Sequence, residues 1–175
     1  MYHYHCPSCG TTHGYYPNSP SPYQFQNQYQ QTYQSPNSVY LRDYGPAPFA
    51  INIDTATKQN TNYRTALWTG EHLQLTLMSI PVGGDIGLEI HPHTDQFIRI
   101  EEGEGLVQMG KNKQFLDFQQ PVRDDYVFFV PAGTWHNLTN TGNKPIKLYS
   151  IYAPPNHPRG TVHQTKAMAE AEEPQ

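Results

Sequence analysis

From Phe49 to Pro155 the chain is a succession of short runs in which apolar and polar residues alternate, each run closed by Gly, Pro or Asn. "HLQLTLMSI" sets Leu73, Leu75 and Leu77 on one face against Gln74 and Thr76 on the other, the period of two that a half-buried strand requires. "RTALWTG", "QFIRIEEG", "GLVQMG", "YVFFVP", "HNLTNTG" and "PIKLYSIYAP" repeat the theme. No helix-period segment of useful length interrupts them. Strands at this spacing, punctuated by Gly and Pro, predict an all-β sandwich or jelly-roll barrel. The acidic close, "TKAMAEAEEPQ", can turn helically or fray.

With 175 residues and 36% hydrophobic content, the chain can bury one core of ordinary size. Its character changes near residue 45. The preceding "YYPNSPSPYQFQNQYQQTYQSPNS" is rich in Tyr, Gln, Pro, Ser and Asn and cannot bury enough apolar surface to offset its ordering entropy. Residues 1–44 are therefore expected to be a disordered N-terminal extension, 45–160 the folded domain, and 161–175 an acidic tail. Interleaved aromatics and amides can also make such an extension adhesive, as in an assembly segment. No run reaches the length of a membrane span, and the N-terminus lacks the basic-then-apolar order of a secretory signal. The expected location is cytoplasmic, with no membrane partner. The net charge of −4 gives no basic footprint for a phosphate backbone, so no nucleic-acid partner is expected.

At the extreme N-terminus, "MYHYHCPSCGTTHG" places Cys6 and Cys9 two residues apart, flanked by His3, His5 and His13. Two such thiolates form half of a tetrahedral zinc site. A second ligand pair at regular distance is missing, and exposed thiols that oxidise or take up stray metal are the competing reading.

The densest chemistry lies in "EIHPHTDQ", Glu89 to Gln96. On a strand, residues two apart share a face, so Glu89 and His91 point together while Leu88 and Ile90 point away. Gln96 starts the next strand after a turn containing Pro92. Far along the chain, "VPAGTWHNLTN" presents His136 after a Pro-x-Gly turn. Strands from two hairpins can aim these four donors into a barrel interior.

These segments closely resemble the two motifs of the cupin superfamily, over roughly residues 49–155. The first motif, Gly-x5-His-x-His-x3–4-Glu-x6-Gly, is met by Gly83, Glu89, His91, Gln96 and Gly103; the second, Pro-x-Gly-x2-His-x3-Asn, by Pro131, Gly133, His136 and Asn140. Asp125 replaces the leading Gly of the second motif. The resemblance implies a cupin jelly-roll β-barrel. Within the superfamily, "DIGLEIHPHTDQFIRIEEGEG" and "WHNLTNTGNKPIKLYSIYAPP" are similar to a bacterial single-domain group loosely labelled mannose-6-phosphate isomerase-like. In this register Glu89 occupies the first His position and Gln96 the Glu position, so a carboxylate is kept but has moved.

Glu89, His91 and His136 then make two imidazoles and one carboxylate, with Gln96 as a weaker fourth donor. That set suits one divalent transition metal, with Fe, Mn, Zn, Ni and Cu all compatible. A second register would use His91 and His93 as the His-x-His pair. The bland alternative is a cupin without metal whose buried polar groups satisfy one another. The resulting expectation is a metal-binding cupin, a homodimer, acting on a small polar molecule as an oxygenase or a sugar-type isomerase, with Glu89 or His93 moving the proton. The contrasting expectation is a non-catalytic ligand-binding or structural cupin tethered in an assembly such as a spore coat.

Overall fold

A computed structural model describes residues 39–172. The Cys6–Cys9 pair, its flanking histidines and nearly all of the Tyr/Gln-rich stretch lie outside the described residues, and with them the expectations of a zinc site and of disorder there. Among the described residues, the chain runs through α1 (Ile53–Gln59), β1 (Arg64–Thr69), β2 (Gln74–Ile80), β3 (Asp95–Glu102), β4 (Glu104–Gly110), β5 (Phe118–Arg123), β6 (Val127–Val130), β7 (Trp135–Asn140), β8 (Ile146–Ala153), β9 (Val162–His163) and α2 (Lys166–Glu172). The strands form a six-stranded sheet in the order β6-β3-β8-β2-β1-β9 and a three-stranded sheet in the order β5-β4-β7. Pairing is antiparallel throughout both sheets, the all-β jelly roll expected from the alternating runs. No helix among the described residues is long and apolar enough to cross a membrane.

The segment around Glu89 is not the regular strand that its sequence predicts. Residues 84–91 run beside β7 as an irregular edge. Asn140 N–H donates to the Gly84 carbonyl at 2.8 Å, Ile86 N–H to Leu138 at 3.1 Å, and Glu89 and His136 exchange both backbone bonds at 3.1 and 2.9 Å. Between these contacts Gly87 takes φ 83°, with its N–H donated to the Asp85 carboxylate at 2.6 Å. A positive φ breaks the pleat, which leaves isolated bridges in place of a ladder.

The interior is graded along the strands. Ile146 faces Ile80, and Leu148 faces Met78 and Ile100, all within one apolar cluster shared with Val107 and Leu138 of the smaller sheet. Further along the same strands, Ser150 faces Thr76 and Ile98, and Tyr152 faces Gln74 and Gln96. Gln74, Thr76, Gln96 and Ser150 are all buried. One end of the barrel is therefore a hydrophobic core and the other a buried polar chamber.

This grading inverts the simple reading of β2. Its polar face, Gln74 and Thr76, points into the barrel. Leu77 instead packs outward against Ala56 of α1 and Leu67, with Leu75, Ile51 and Tyr44 alongside. The helix begins at Asn52, whose side chain accepts from Thr55 N–H at 3.0 Å, a standard N-cap. Seven residues are too few for a helix to stand alone, so α1 depends on this outer cluster. The C-terminal stretch is likewise engaged: His163 pairs with Arg64 across β9 and β1, Lys166 forms an ion pair with Asp85, and Ala169 joins the barrel core.

Two motif positions show why their backbone chemistry matters. Gly103 sits at φ 95° between β3 and β4, where an added Cβ would lie 2.9 Å from the Ile146 Cα. Asp125, which stands where the motif has glycine, adopts φ 68°, and an Asp tolerates that region better than most side chains.

Candidate metal centre

Glu89 and His136 face one another as a hydrogen-bonded backbone pair, and directly opposed residues project their side chains to the same face. Two residues further on, the His91 carbonyl accepts from Gly133 N–H at 2.9 Å. Gly133, at φ 70°, shapes the turn that leads into β7. The irregular edge and the second-motif turn are thus tied together on both sides of the site.

Glu89 Oε1 lies 3.3 Å from His91 Nε2 and 3.3 Å from His136 Nε2, and the donor atoms of all three residues lie within 4.8 Å of one another. Both rings are buried, and His136 has no exposed surface. The ring centroids are 5.2 Å apart. His136 Nδ1 is 3.0 Å from the Thr134 carbonyl. A carbonyl can only accept, so Nδ1 carries the proton and, in the neutral ring, Nε2 presents a bare lone pair.

The chemistry of this arrangement calls for a cation. Neither imidazole Nε2 has a hydrogen-bond partner, and the Gln96 Oε1 is buried without one as well. Lone pairs facing a carboxylate oxygen repel it unless positive charge stands between them. Bonds of about 2.1 Å spanning an angle near 100° would separate two donor atoms by about 3.2 Å, close to the 3.3 Å observed here. Burial pushes the Glu89 carboxyl up, yet hydrogen bonds and charge from His136 and His91, whose Nε2 atoms must then carry protons in place of a metal ion, outweigh it and hold the group well below the usual carboxylate range. Glu89 is therefore ionised at neutral pH, as a metal ligand must be. The donor set fits a divalent transition ion.

Gln96, 3% exposed, is the second residue of β3 and lies on the interior face opposite Tyr152, and the Tyr152 ring meets the His91 ring edge-on at 5.6 Å. Its Nε2 donates to Ser150 Oγ at 3.1 Å. His93 is exposed in the turn after Pro92 and is not part of the cluster, which leaves Glu89, His91 and His136 as the set that the fold brings together. A cavity of about 460 Å³ opens on Glu89 and His91 and is walled by Tyr63, Arg64, Lys113 and Trp135 among others.

Several contributors carried no motif signal. Thr134 acts through its carbonyl, so no side chain advertises it. Tyr152 ends an ordinary alternating strand. His157 is buried with its ring edge-on to Tyr152 at 5.0 Å; burial first, and the charge of Arg64 second, push it down to about 3, so it stays neutral.

A double-sheeted barrel whose polar end gathers a Glu/His/His cluster is a cupin architecture, and residues 76–152 match the family model for the cupin domain. The chain is similar to the uncharacterized protein YrkC of Bacillus subtilis, 66% identical over 136 residues covering 78% of this chain and 73% of that protein. It is similar to the uncharacterized protein L612 of Acanthamoeba polyphaga mimivirus, 41% identical over 115 residues, 65% of this chain and 70% of the other. The crystal structure of BH2720 from Bacillus halodurans superposes with a TM-score of 0.74 at 66% identity, covering 75% of this chain and 99% of that one. The chain belongs to the cupin superfamily.

Proposed function

We propose that the protein is a metal-dependent cupin acting on a small polar molecule, with Glu89, His91 and His136 holding one divalent transition ion and Gln96 available as a weaker fourth donor. The observation that supports this reading best is the convergence of lone pairs with no partner: two buried imidazole Nε2 atoms, both 3.3 Å from one carboxylate oxygen. When bound, the ion would supply Lewis-acid polarisation of a substrate oxygen, with redox chemistry added if it is iron.

The residues of the chain do the rest. Thr134 fixes the tautomer of His136 through the Nδ1 contact. Tyr63 and Trp135 wall the cavity beside the site. Tyr63 is anchored by its hydroxyl, which donates to the Ile86 carbonyl at 2.8 Å. An ion held by these three donors would be reachable from the cavity that borders Glu89 and His91, as in a site that handles substrate rather than a closed structural centre. Oxygenation and isomerisation at a carbonyl both remain within this chemistry, and the finer grouping with mannose-6-phosphate isomerase-like cupins rests on the segment resemblance alone.

The test is elemental analysis of protein purified without added metal, in a Cys6→Ser, Cys9→Ser background so that the N-terminal thiols do not contribute. Close to one equivalent of transition metal is expected. His91→Ala and His136→Ala should each remove most of it, and unchanged content in both variants would sink the assignment.

A further inference from the structure

The outer face of the six-stranded sheet carries a row of apolar side chains that the barrel core does not use. Trp68 of β1 pairs with Leu75 of β2, Leu75 with Ile151 of β8, Ile151 with Phe97 of β3, and Phe97 with Phe129 of β6. Residues in one register row share a face, and the chain neighbours Gln74, Tyr152, Gln96 and Val130 are the ones buried inside. The row therefore points outward. The Phe97 ring meets the Phe129 ring edge-on at 5.3 Å, and Phe129 and Val127, on the strand that closes this edge of the sheet, are 65% and 43% exposed.

The relief of this face is uneven. Phe129 stands as a ridge at one end, whereas at the other Phe49 and Leu73, 38% and 39% exposed, rise around Trp68, Leu75 and Ile151 to enclose a groove of about 520 Å³. A shallower groove between Ile151, Phe97 and Phe129 continues it toward β6. The apolar surface is thus unbroken from β1 to β6. With about 200 Å² to a whole aromatic side chain, these exposures leave about 600 Å² of apolar surface per chain, the upper end of what a monomer shows in one patch. Each partner in a standard-size interface contributes about 800 Å², which a polar rim around this patch would complete. Arg99, in the next row on β3, is paired within its own chain to Glu101 at 2.9 Å and Asp125 at 2.8 Å, so two copies of this face can meet without opposing bare cations.

We propose that this outer face is the interface of a homodimer, formed face to face by two copies of the chain about a two-fold axis that runs parallel to the strands over Ile151. In the order β6-β3-β8-β2-β1, β8 lies midway between ends about 19 Å apart. The axis lays β6 of each copy over β1 and β2 of the other, so the Phe129 ridge of each enters the groove of the other and the contact is made twice. An aromatic anchor seated in an apolar pocket is where binding energy concentrates. An axis across the strands would instead stack Phe129 on Phe129 and leave both grooves open. The proposal is independent of the metal centre, whose weaker donor Gln96 lies on the other face of β3.

The mass of the full chain is measured by sedimentation equilibrium and light scattering from about 1 to about 100 μM. Wild-type protein should give the mass of a dimer. Phe129→Glu sets a carboxylate against an apolar groove at both contacts and should weaken the dimer by about 100-fold or more, and Leu73→Lys, at the groove rim, should act in the same direction. Both positions are exposed, so each variant should melt like the wild type. Mixed in equal amounts, the two variants should recover a heterodimer, because one contact then joins the two introduced charges, which are of opposite sign, and the other is wild type. Monomeric wild-type protein across the range overturns the proposal. So does a dimer that survives both substitutions, which would place self-association elsewhere in the chain, the N-terminal extension included, and so do two monomeric variants that fail to recover on mixing. Should either variant not fold, Phe129→Ala and Leu73→Ala take their place, and unchanged dimerisation in both overturns it.

Discussion

Two glutamines flank Tyr152 on the interior face of the six-stranded sheet, Gln74 from β2 and Gln96 from β3, and they are used in opposite ways. Gln74 is fully engaged. Its Nε2 donates to Thr69 Oγ1 at 3.0 Å and to the His157 carbonyl at 2.8 Å, while its Oε1 accepts from the backbone N–H of His157 at 2.9 Å and of Asn156 at 3.3 Å. Gln96 spends its amide nitrogen on Ser150 and leaves its oxygen buried without a partner. A buried acceptor left unmade costs about 1–3 kcal/mol, so a fold that satisfies one glutamine completely and not its neighbour separates architecture from chemistry. Gln74, with its hydrogen-bond shell closed, holds the chain, whereas Gln96 leaves one acceptor available.

The sharpest way to break this contrast is to exchange the roles by mutation. His136→Ala removes an open-shell group and should lower metal affinity by about 100-fold or more, read by competition with a chelator, while the melting temperature of the metal-free protein changes little by comparison. Gln74→Ala removes a closed-shell group. It should cost about 2–4 kcal/mol in denaturant unfolding, because four partners are left buried or slackened, yet keep its metal stoichiometry. A Gln74 variant that unfolds like wild type but loses its metal would erase the distinction.

Acid provides an intermediate test. His157, whose backbone Gln74 holds, is pushed down to about 3 in the folded chain, against about 6.5 when unfolded. Between those values the unfolded state takes a proton that the folded state refuses, so metal-free protein should lose stability as pH falls from about 6.5 toward 3. Glu89, held below the carboxylate range, acts in the same direction at the acid end of that window, since its contribution is present above the unfolded carboxylate value and fades below it. Melting curves from pH 7.5 to 4.5 should show this slope, and His157→Gln should flatten it; superimposable profiles would refute the account. The smallest effect belongs to Gln96→Leu. Folding stability should stay within about 1 kcal/mol, since an unsatisfied acceptor disappears along with one hydrogen bond, and metal affinity should fall only by a few fold.

The jelly-roll class was legible in the alternating strand runs, while the local detail of the scaffold was not. The convergence of Glu89, His91 and His136 was legible because motif spacing indicates which residues meet across a barrel, and those three do meet. The placement of His93 outside the cluster follows from Pro92, which turns the chain. What pattern alone could not reveal depends on tertiary context. The Leu face of β2 reads as the barrel side, but the chamber at that end is polar and the leucines are covered from outside by α1. The irregular edge at 84–91 is decided by Gly87 and Asp85, which look in sequence like any turn. The acidic C-terminal stretch offers a single alanine, Ala169, to the core, too small a stripe for periodicity to register. Arg64 carries no motif, and only its burial beside the cavity distinguishes it from a solvated cation.

The reciprocal backbone bonds between Glu89 and His136 have a consequence in time as well as in space. Each residue contributes both a rung of the sheet edge and a donor atom, so the edge cannot lift from β7 without drawing the carboxylate away from the imidazole. Amide hydrogen exchange at these two positions and the escape of any ion seated between them are then two clocks reading one local opening. An occupied site should slow exchange at both amides together.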